Sequence, residues 1–118
     1  MAMRRVIIES PYGKTVDGRQ AGAIEIVRNV TYAQRAMAHS LSLGEAPYLS
    51  HLLYTQCLDD SDPVQRKQGI AAGRRWGDAA EVCAVYVDYG VTPGMKEGMK
   101  HHEQNRIGVA ARSIGKNP

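Results

Sequence analysis

The sequence predicts an α/β fold, a small Rossmann-like three-layer sandwich around a mostly parallel central sheet of four or five strands. Segments with strand and helix character alternate along the 118 residues, and residues 82–87 are apolar throughout. Such a run is typical of a strand covered on both faces. Alternation at these lengths implies parallel strands joined by right-handed crossovers, with helices on both faces. The length fits one domain, spanning residues 1–118.

The first half of the chain contains two predicted strands and one helix. Residues 5–9 form the first strand, and residues 46–50 form the second. The stretch 14–28 is not assigned, although its apolar segment 23–27 fits either a helix or a strand. Thr31 and Gln34 have the spacing of a capping box, which predicts a helix from Thr31 to Gly44.

The second half contains two further helices and two strands. Asp62 and Pro63 have the N-cap and first-turn preferences of a helix that extends to about residue 80. After the apolar strand, Thr92 and Pro93 begin a third helix that extends to about residue 104. Residues 109–113 are the candidate last strand.

Composition narrows the classes of partner. The 15 Lys and Arg residues exceed the 12 Asp and Glu residues, giving a net charge of +3, which favours anionic ligands. Because these basic residues are scattered among acids, nucleic-acid binding is disfavoured.

No apolar run approaches the roughly 20 residues of a membrane span, and the N-terminus lacks the pattern of a signal peptide. We therefore expect a cytoplasmic protein without a membrane partner, in which Cys57 and Cys83 are reduced.

Three loops follow the carboxyl ends of the predicted strands, where ligands bind in parallel α/β sheets. They comprise residues 10–13, 50–54 and 88–96. The candidate ligand-binding residues are Ser10, Tyr12, His51, Asp88, Gly90, Thr92, Gly94, Met95 and Lys96.

The third loop contains most of these candidate ligand-binding residues. It leads from the buried strand past Asp88 into a helix N-terminus, whose free N–H groups suit a phosphate or a sugar hydroxyl. Asp88 either binds ribose hydroxyls or satisfies nearby loop amides, and Thr92 either contacts the ligand or only caps the helix. Tyr12 is a candidate for stacking on a base.

Other polar residues do not predict a site. His101 and His102 are adjacent, so their side chains point about 100° apart on a helix and cannot share one metal ion. No zinc-ligand spacing, phosphate-binding loop or dinucleotide fingerprint is present, so we expect no metal and no cofactor. Arg74 and Arg75 are expected on a solvated helix face.

Four short segments carry a family resemblance: residues 7–12 (IIESPY), 48–51 (YLSH), 76–87 and 94–98 (GMKEG). Together with the order of elements, they resemble the nucleoside 2-deoxyribosyltransferase superfamily, which includes deoxynucleoside monophosphate N-glycosidases. The chain is more closely similar to an uncharacterised domain family common in bacteriophage and actinobacterial genomes. The resemblance implies a homo-oligomer with a nucleoside or nucleotide ligand.

The resemblance also shows where this chain departs from the enzymes. The position of their catalytic Glu is occupied by Lys96, and that of an assisting helix Asp by Gly73. We therefore expect a protein that binds a nucleotide or nucleotide-derived signal without turnover, with phage-type sequestration as one role. An N-glycosidase or deoxyribosyltransferase using Glu97 or Asp88 remains an alternative. An oligomeric interaction module with a vestigial pocket is another.

Overall fold

The computed structural model describes residues 2–12, 15–16, 19–20 and 22–115. Single turns of 3-10 helix lie at Ser50–Leu52 and Tyr54–Gln56. Within the described ranges, no helix is long and apolar enough to span a membrane. In chain order, the strands and α-helices are β1 (Arg5–Glu9), β2 (Thr15–Val16), β3 (Arg19–Gln20), α1 (Ala23–Ser42), β4 (Ala46–Tyr48), α2 (Pro63–Gly77), β5 (Val82–Tyr86), α3 (Pro93–Gln104) and β6 (Gly108–Arg112).

The central sheet has four strands in the order β4-β1-β5-β6, and all of its pairings are parallel. Ile7 of β1 lies between Tyr48 of β4 and Cys83 of β5. Strands β2 and β3 form a separate antiparallel pair. The molecule is therefore a small Rossmann-like α/β fold, as the alternation of elements predicts.

Side chains alternate between the two faces of this sheet and produce two apolar layers. Val6 and Ile8 pack with Tyr32 and Ala36 of α1 on one face. On the other face, Ile7 packs in a cluster with Met95 of α3. Every residue of β5 is buried, which accounts for its unbroken apolar sequence.

The predicted start of the first helix at Thr31 is wrong. Helix α1 begins at Ala23, with Gly22 as an N-cap that has no side-chain hydrogen bond. Thr31 lies in the helix interior, because a stripe of buried residues that includes Asn29 and Tyr32 continues past it on both sides. The ambiguous segment 23–27 is therefore helical. Residues 14, 17–18 and 21 of the unassigned stretch, and residue 13 of the first loop, lie outside the described residues.

The two other helix starts are confirmed. The Asp62 carboxylate accepts a hydrogen bond from the Val64 N–H at 3.0 Å, and Thr92 Oγ1 accepts one from the Met95 N–H at 3.2 Å. Several predicted ends differ by a few residues. Strand β4 stops at Tyr48 because a 3-10 turn begins at Ser50, and α2 ends at Gly77.

Candidate functional site

A cavity of about 530 Å³ opens at the carboxyl end of β1, between α2 and the first half of α3. Its volume lies within the range typical of small-molecule sites. The connection between β4 and α2 forms a third side. The cavity therefore occupies the edge of the sheet at which parallel α/β proteins bind ligands.

The structure brings together most of the residues predicted from the sequence. Those that line the cavity are Ser10, Tyr12, His51, Thr92, Gly94, Met95 and Glu97. Asp88, Gly90 and Lys96 do not line it.

Asp88 is held by the protein on the side of the sheet that faces α1. Its carboxylate accepts hydrogen bonds from the hydroxyls of Tyr32 and Ser113, each at 2.5 Å, and from the Ile114 N–H at 3.1 Å. Burial alone would raise the pKa of Asp88, but these hydrogen bonds outweigh it and hold the pKa at about 2. Two roles were considered for Asp88. The structure shows the one in which its carboxylate accepts hydrogen bonds from neighbouring groups of the protein.

Gly90 and Lys96 are exposed. Met95 turns into the core between β5 and α3, which directs the next residue on the helix, Lys96, away by about 100°. Lys96 therefore does not supply positive charge to the cavity. Asp88, Gly90 and Lys96 therefore lie outside the lining of this cavity.

Ser10, Tyr12 and His51 form a contiguous group at the cavity wall. Ser10 Oγ lies 3.1 Å from His51 Nε2, and the Tyr12 ring stacks on the His51 ring with centroids 4.6 Å apart. Burial, assisted by the nearby charge of Arg66, lowers the pKa of His51 to about 3. His51 is therefore a neutral hydrogen-bonding group at physiological pH.

Helix α2 contributes a cationic wall that the sequence analysis missed. Arg66, Lys67 and Arg74 line the cavity, and Arg66 forms an ion pair of 2.7 Å with Asp60. Of the pair expected on a solvated helix face, Arg75 is exposed, whereas Arg74 is half-buried and lines the cavity. Residues 66, 70, 73 and 74 have the i, i+4, i+7, i+8 spacing of one helix face, which is the signal that identifies them.

Two further residues at the cavity were also missed. Glu9 is the last residue of β1, and its Oε2 lies 3.7 Å from Nε2 of the buried His102 on α3. Both residues line the cavity. The position of Glu9 at a strand's carboxyl end was the available signal.

Helix α2 has no room for a side chain at Gly73. A Cβ atom on Gly73 would lie 2.6 Å from Cβ of Ser50. Close packing of α2 on the 3-10 turn therefore requires glycine here.

No group of three or more His, Cys, Asp or Glu side chains with metal-binding geometry occurs in the part of the chain that the structure describes. Cys57 is exposed and Cys83 is buried, and both are free thiols.

A family model matches residues 4–112. The chain belongs to the family described as domain of unknown function DUF7768. This DUF7768 match extends from the residue before β1 to the end of β6, so the matched segment contains the whole central sheet and the residues that line the cavity. No similar curated protein and no similar solved structure was found.

Proposed function

We propose that this DUF7768 protein binds a nucleotide or a nucleotide-derived signal in the cavity and does not turn it over. The observation that carries the proposal is the convergence of three features on one cavity. These are the cationic face of α2, the N-terminus of α3 and the aromatic ring of Tyr12. Together they match an anionic group and a planar base.

The first turn of α3 supports the anionic part of this ligand. Pro93 has no N–H, and the Met95 and Lys96 amides donate to Thr92. Gly94 lines the cavity and carries no side chain that would block approach to its backbone. With Arg74 facing the same space, this corner suits a phosphate.

The stacked rings support the base. Tyr12 and His51 are nearly parallel, with 15° between their planes. Tyr12 is only partly buried, so its ring has a free edge or face toward the cavity that it lines. Stacking on an aromatic ring is tolerant of base identity.

The geometry favours binding over cleavage. Lys96, at the nucleophile position of the related enzymes, lies outside the cavity, and Gly73 leaves no space for the assisting carboxylate. A protein that retains a nucleotide signal unchanged lowers its free concentration, which is the chemistry of sequestration.

One observation favours a second candidate function. Glu97 lines the cavity, so a carboxylate is present one residue after the expected nucleophile position. The corresponding activity is hydrolysis or transfer at an N-glycosidic bond of a nucleoside or nucleoside monophosphate.

A thermal-shift screen tests the proposal. The panel contains nucleosides, nucleoside mono-, di- and triphosphates and cyclic nucleotides, and each stabilising ligand is then analysed by chromatography for released base. A ligand at 100 times its Kd stabilises the fold by about 2.7 kcal/mol. Recovery of an intact ligand supports the binder. Released base, lost in Glu97→Gln, establishes the enzyme instead, and no stabilisation by any member overturns both.

Matched variants locate the site. Arg74→Ala removes a cavity-lining charge, whereas Arg75→Ala removes an exposed neighbour that does not line it. We expect Arg74→Ala to weaken phosphate-bearing ligands by about tenfold and Arg75→Ala to leave them unchanged. Light scattering on the same samples tests the homo-oligomer implied by the resemblance.

A further inference from the structure

Glu9 presents a partly exposed carboxylate at the cavity. Its side chain is 20% exposed, and its nearest cationic partner, His102, is 3.7 Å away. Among the described residues, none donates a hydrogen bond to this carboxylate. A partly desolvated carboxylate requires hydrogen-bond donors. A ligand in the cavity is in a position to supply them to Glu9.

His102 is a second polar side chain at the same place. It is 1% exposed and lines the cavity, and its Nδ1 has no hydrogen-bond partner among the described residues. Buried polar atoms without a partner are rare in folded proteins. Because His102 Nε2 faces Glu9 and both residues line the cavity, the two side chains form one polar subsite.

Two helix glycines make room for this pair. A Cβ atom on Gly98 of α3 would lie 2.7 Å from the Glu9 carboxyl carbon, and one on Gly77 of α2 would lie 2.9 Å from His102 Cε1. Glycine in a helix interior is less stable than alanine, yet α3 has Gly98 in its interior where it contacts Glu9, and α2 ends on Gly77 beside His102. The absence of side chains at these two glycines leaves space for the side chains of Glu9 and His102.

We infer that Glu9, with His102 beside it, binds the ribose diol of the ligand, so that the cavity prefers ribonucleotides to 2′-deoxyribonucleotides. This inference rests on the proposed nucleotide binding. The two oxygens of one carboxylate match two adjacent hydroxyls, and carboxylates near strand ends perform this task in dinucleotide-binding folds. The cationic face of α2 then receives the phosphate at another wall of the cavity.

A guanine edge also presents two adjacent donors, N1–H and the N2 amino group, so the test separates base from sugar. Isothermal titration of the wild-type protein uses AMP, ADP, GMP and GDP, each beside its 2′-deoxy counterpart. We expect each ribonucleotide to bind at least about tenfold more tightly than its deoxy partner, as for a hydrogen bond to a charged group. The preference is expected with both bases.

Variants assign the preference to the pair. Glu9→Gln is expected to reduce the ribose preference to about twofold or less, and a cooperative urea-denaturation curve shows that the variant folds. His102→Gln is expected to reduce the same ratio. The matched control, Glu103→Gln, changes an exposed acid on α3 that does not line the cavity, and it leaves the ratio at the wild-type value.

The outcomes are distinct. Equal binding of ribo- and deoxynucleotides by the wild-type protein overturns the inference and leaves the proposed function standing. A preference for guanine without a preference for ribose assigns Glu9 to the base edge and also overturns it. No binding of any nucleotide overturns the proposed function itself. If Glu9→Gln does not fold, the wild-type ratios together with 3′-deoxy ligands decide the question.

Discussion

The Tyr32 hydroxyl makes a two-way contact with Asp88. It donates to the Asp88 carboxylate at 2.5 Å and accepts the Asp88 backbone N–H at 2.9 Å. Burial, followed by the hydrogen bond to Asp88, raises the pKa of Tyr32. The contact ties the middle of α1 to the residues after β5, and it holds Asp88 away from the cavity.

Tyr32→Phe is expected to lower the free energy of unfolding by about 1–3 kcal/mol, because it leaves polar groups of Asp88 without a partner. Urea denaturation measures the change. Tyr12→Phe is the control, since its hydroxyl has no hydrogen bond among the described residues, and its stability should stay within about 0.5 kcal/mol of wild type. Equal stability of both variants would contradict the structural role of the Tyr32–Asp88 contact.

Glu45 is expected to make the fold sensitive to acid. Its carboxylate forms two hydrogen bonds with Arg112, at 2.7 and 2.8 Å. The bonds from Arg112, with those from Arg4 and Ser40, outweigh burial and lower its pKa from 4.5 to about 2. Because the pKa is lower in the folded state, this stabilisation is complete above pH 4.5 and is lost as the pH falls toward 2.

Glu45→Gln should therefore be less stable than wild type at pH 7 by on the order of 2–4 kcal/mol, with the difference shrinking as the pH approaches 2. Denaturation curves at several pH values measure this difference. Glu81→Gln serves as the control, because Glu81 is 47% exposed and lies 3.5 Å from Arg5. Such surface pairs contribute less than about 1 kcal/mol. A difference between wild type and Glu45→Gln that is constant with pH is the result that argues against this ion pair.

Placing a carboxylate at position 73 is expected to destabilise this protein. Gly73→Asp forces a Cβ atom to within 2.6 Å of Ser50, so we expect a loss of about 2 kcal/mol or more and no release of free base. Ala71→Asp places the same side chain at an exposed position of α2 and controls for helix propensity. A Gly73→Asp protein as stable as Ala71→Asp would show that α2 does not pack as described.

The two thiols should differ in reactivity. Cys57 is exposed, whereas burial, with smaller contributions from Glu9 and Glu103, raises the pKa of Cys83 to about 12. An aromatic disulfide reagent at pH 8 should therefore modify one thiol in the native protein and two in denaturant. Mass spectrometry of Cys57→Ser identifies the second site, and rapid native modification of that variant would be inconsistent with a buried Cys83.

Local sequence signals predicted much of this fold because they act within a few residues. Each of these signals acts on nearby residues only: the capping side chains of Asp62 and Thr92 begin their helices, and the apolar sequence of β5 indicates a buried strand. The start of α1 was mispredicted because Gly22 offers no side-chain cap, whereas Thr31 offers an apparent one. Tertiary packing along the buried stripe of α1 decides the outcome.

The candidate site was predicted less completely than the fold. The cavity-lining residues that were missed reach the cavity through long-range packing. Strand ends indicated Ser10, His51 and Gly94, but α2 reaches the cavity only by crossing the end of the sheet after two 3-10 turns. The position of Asp88 outside the cavity lining could not be predicted, because its partners Tyr32 and Ser113 are 56 and 25 residues away in the chain. No local pattern contains that information.

Strand β4 has a consequence for association between sheets. It is an edge strand of three residues, and Pro47 at its centre pairs with Val6. Proline has no N–H to donate, and short edge strands that contain it are poor templates for a further strand. This edge is therefore protected against the uncontrolled strand addition that begins aggregation.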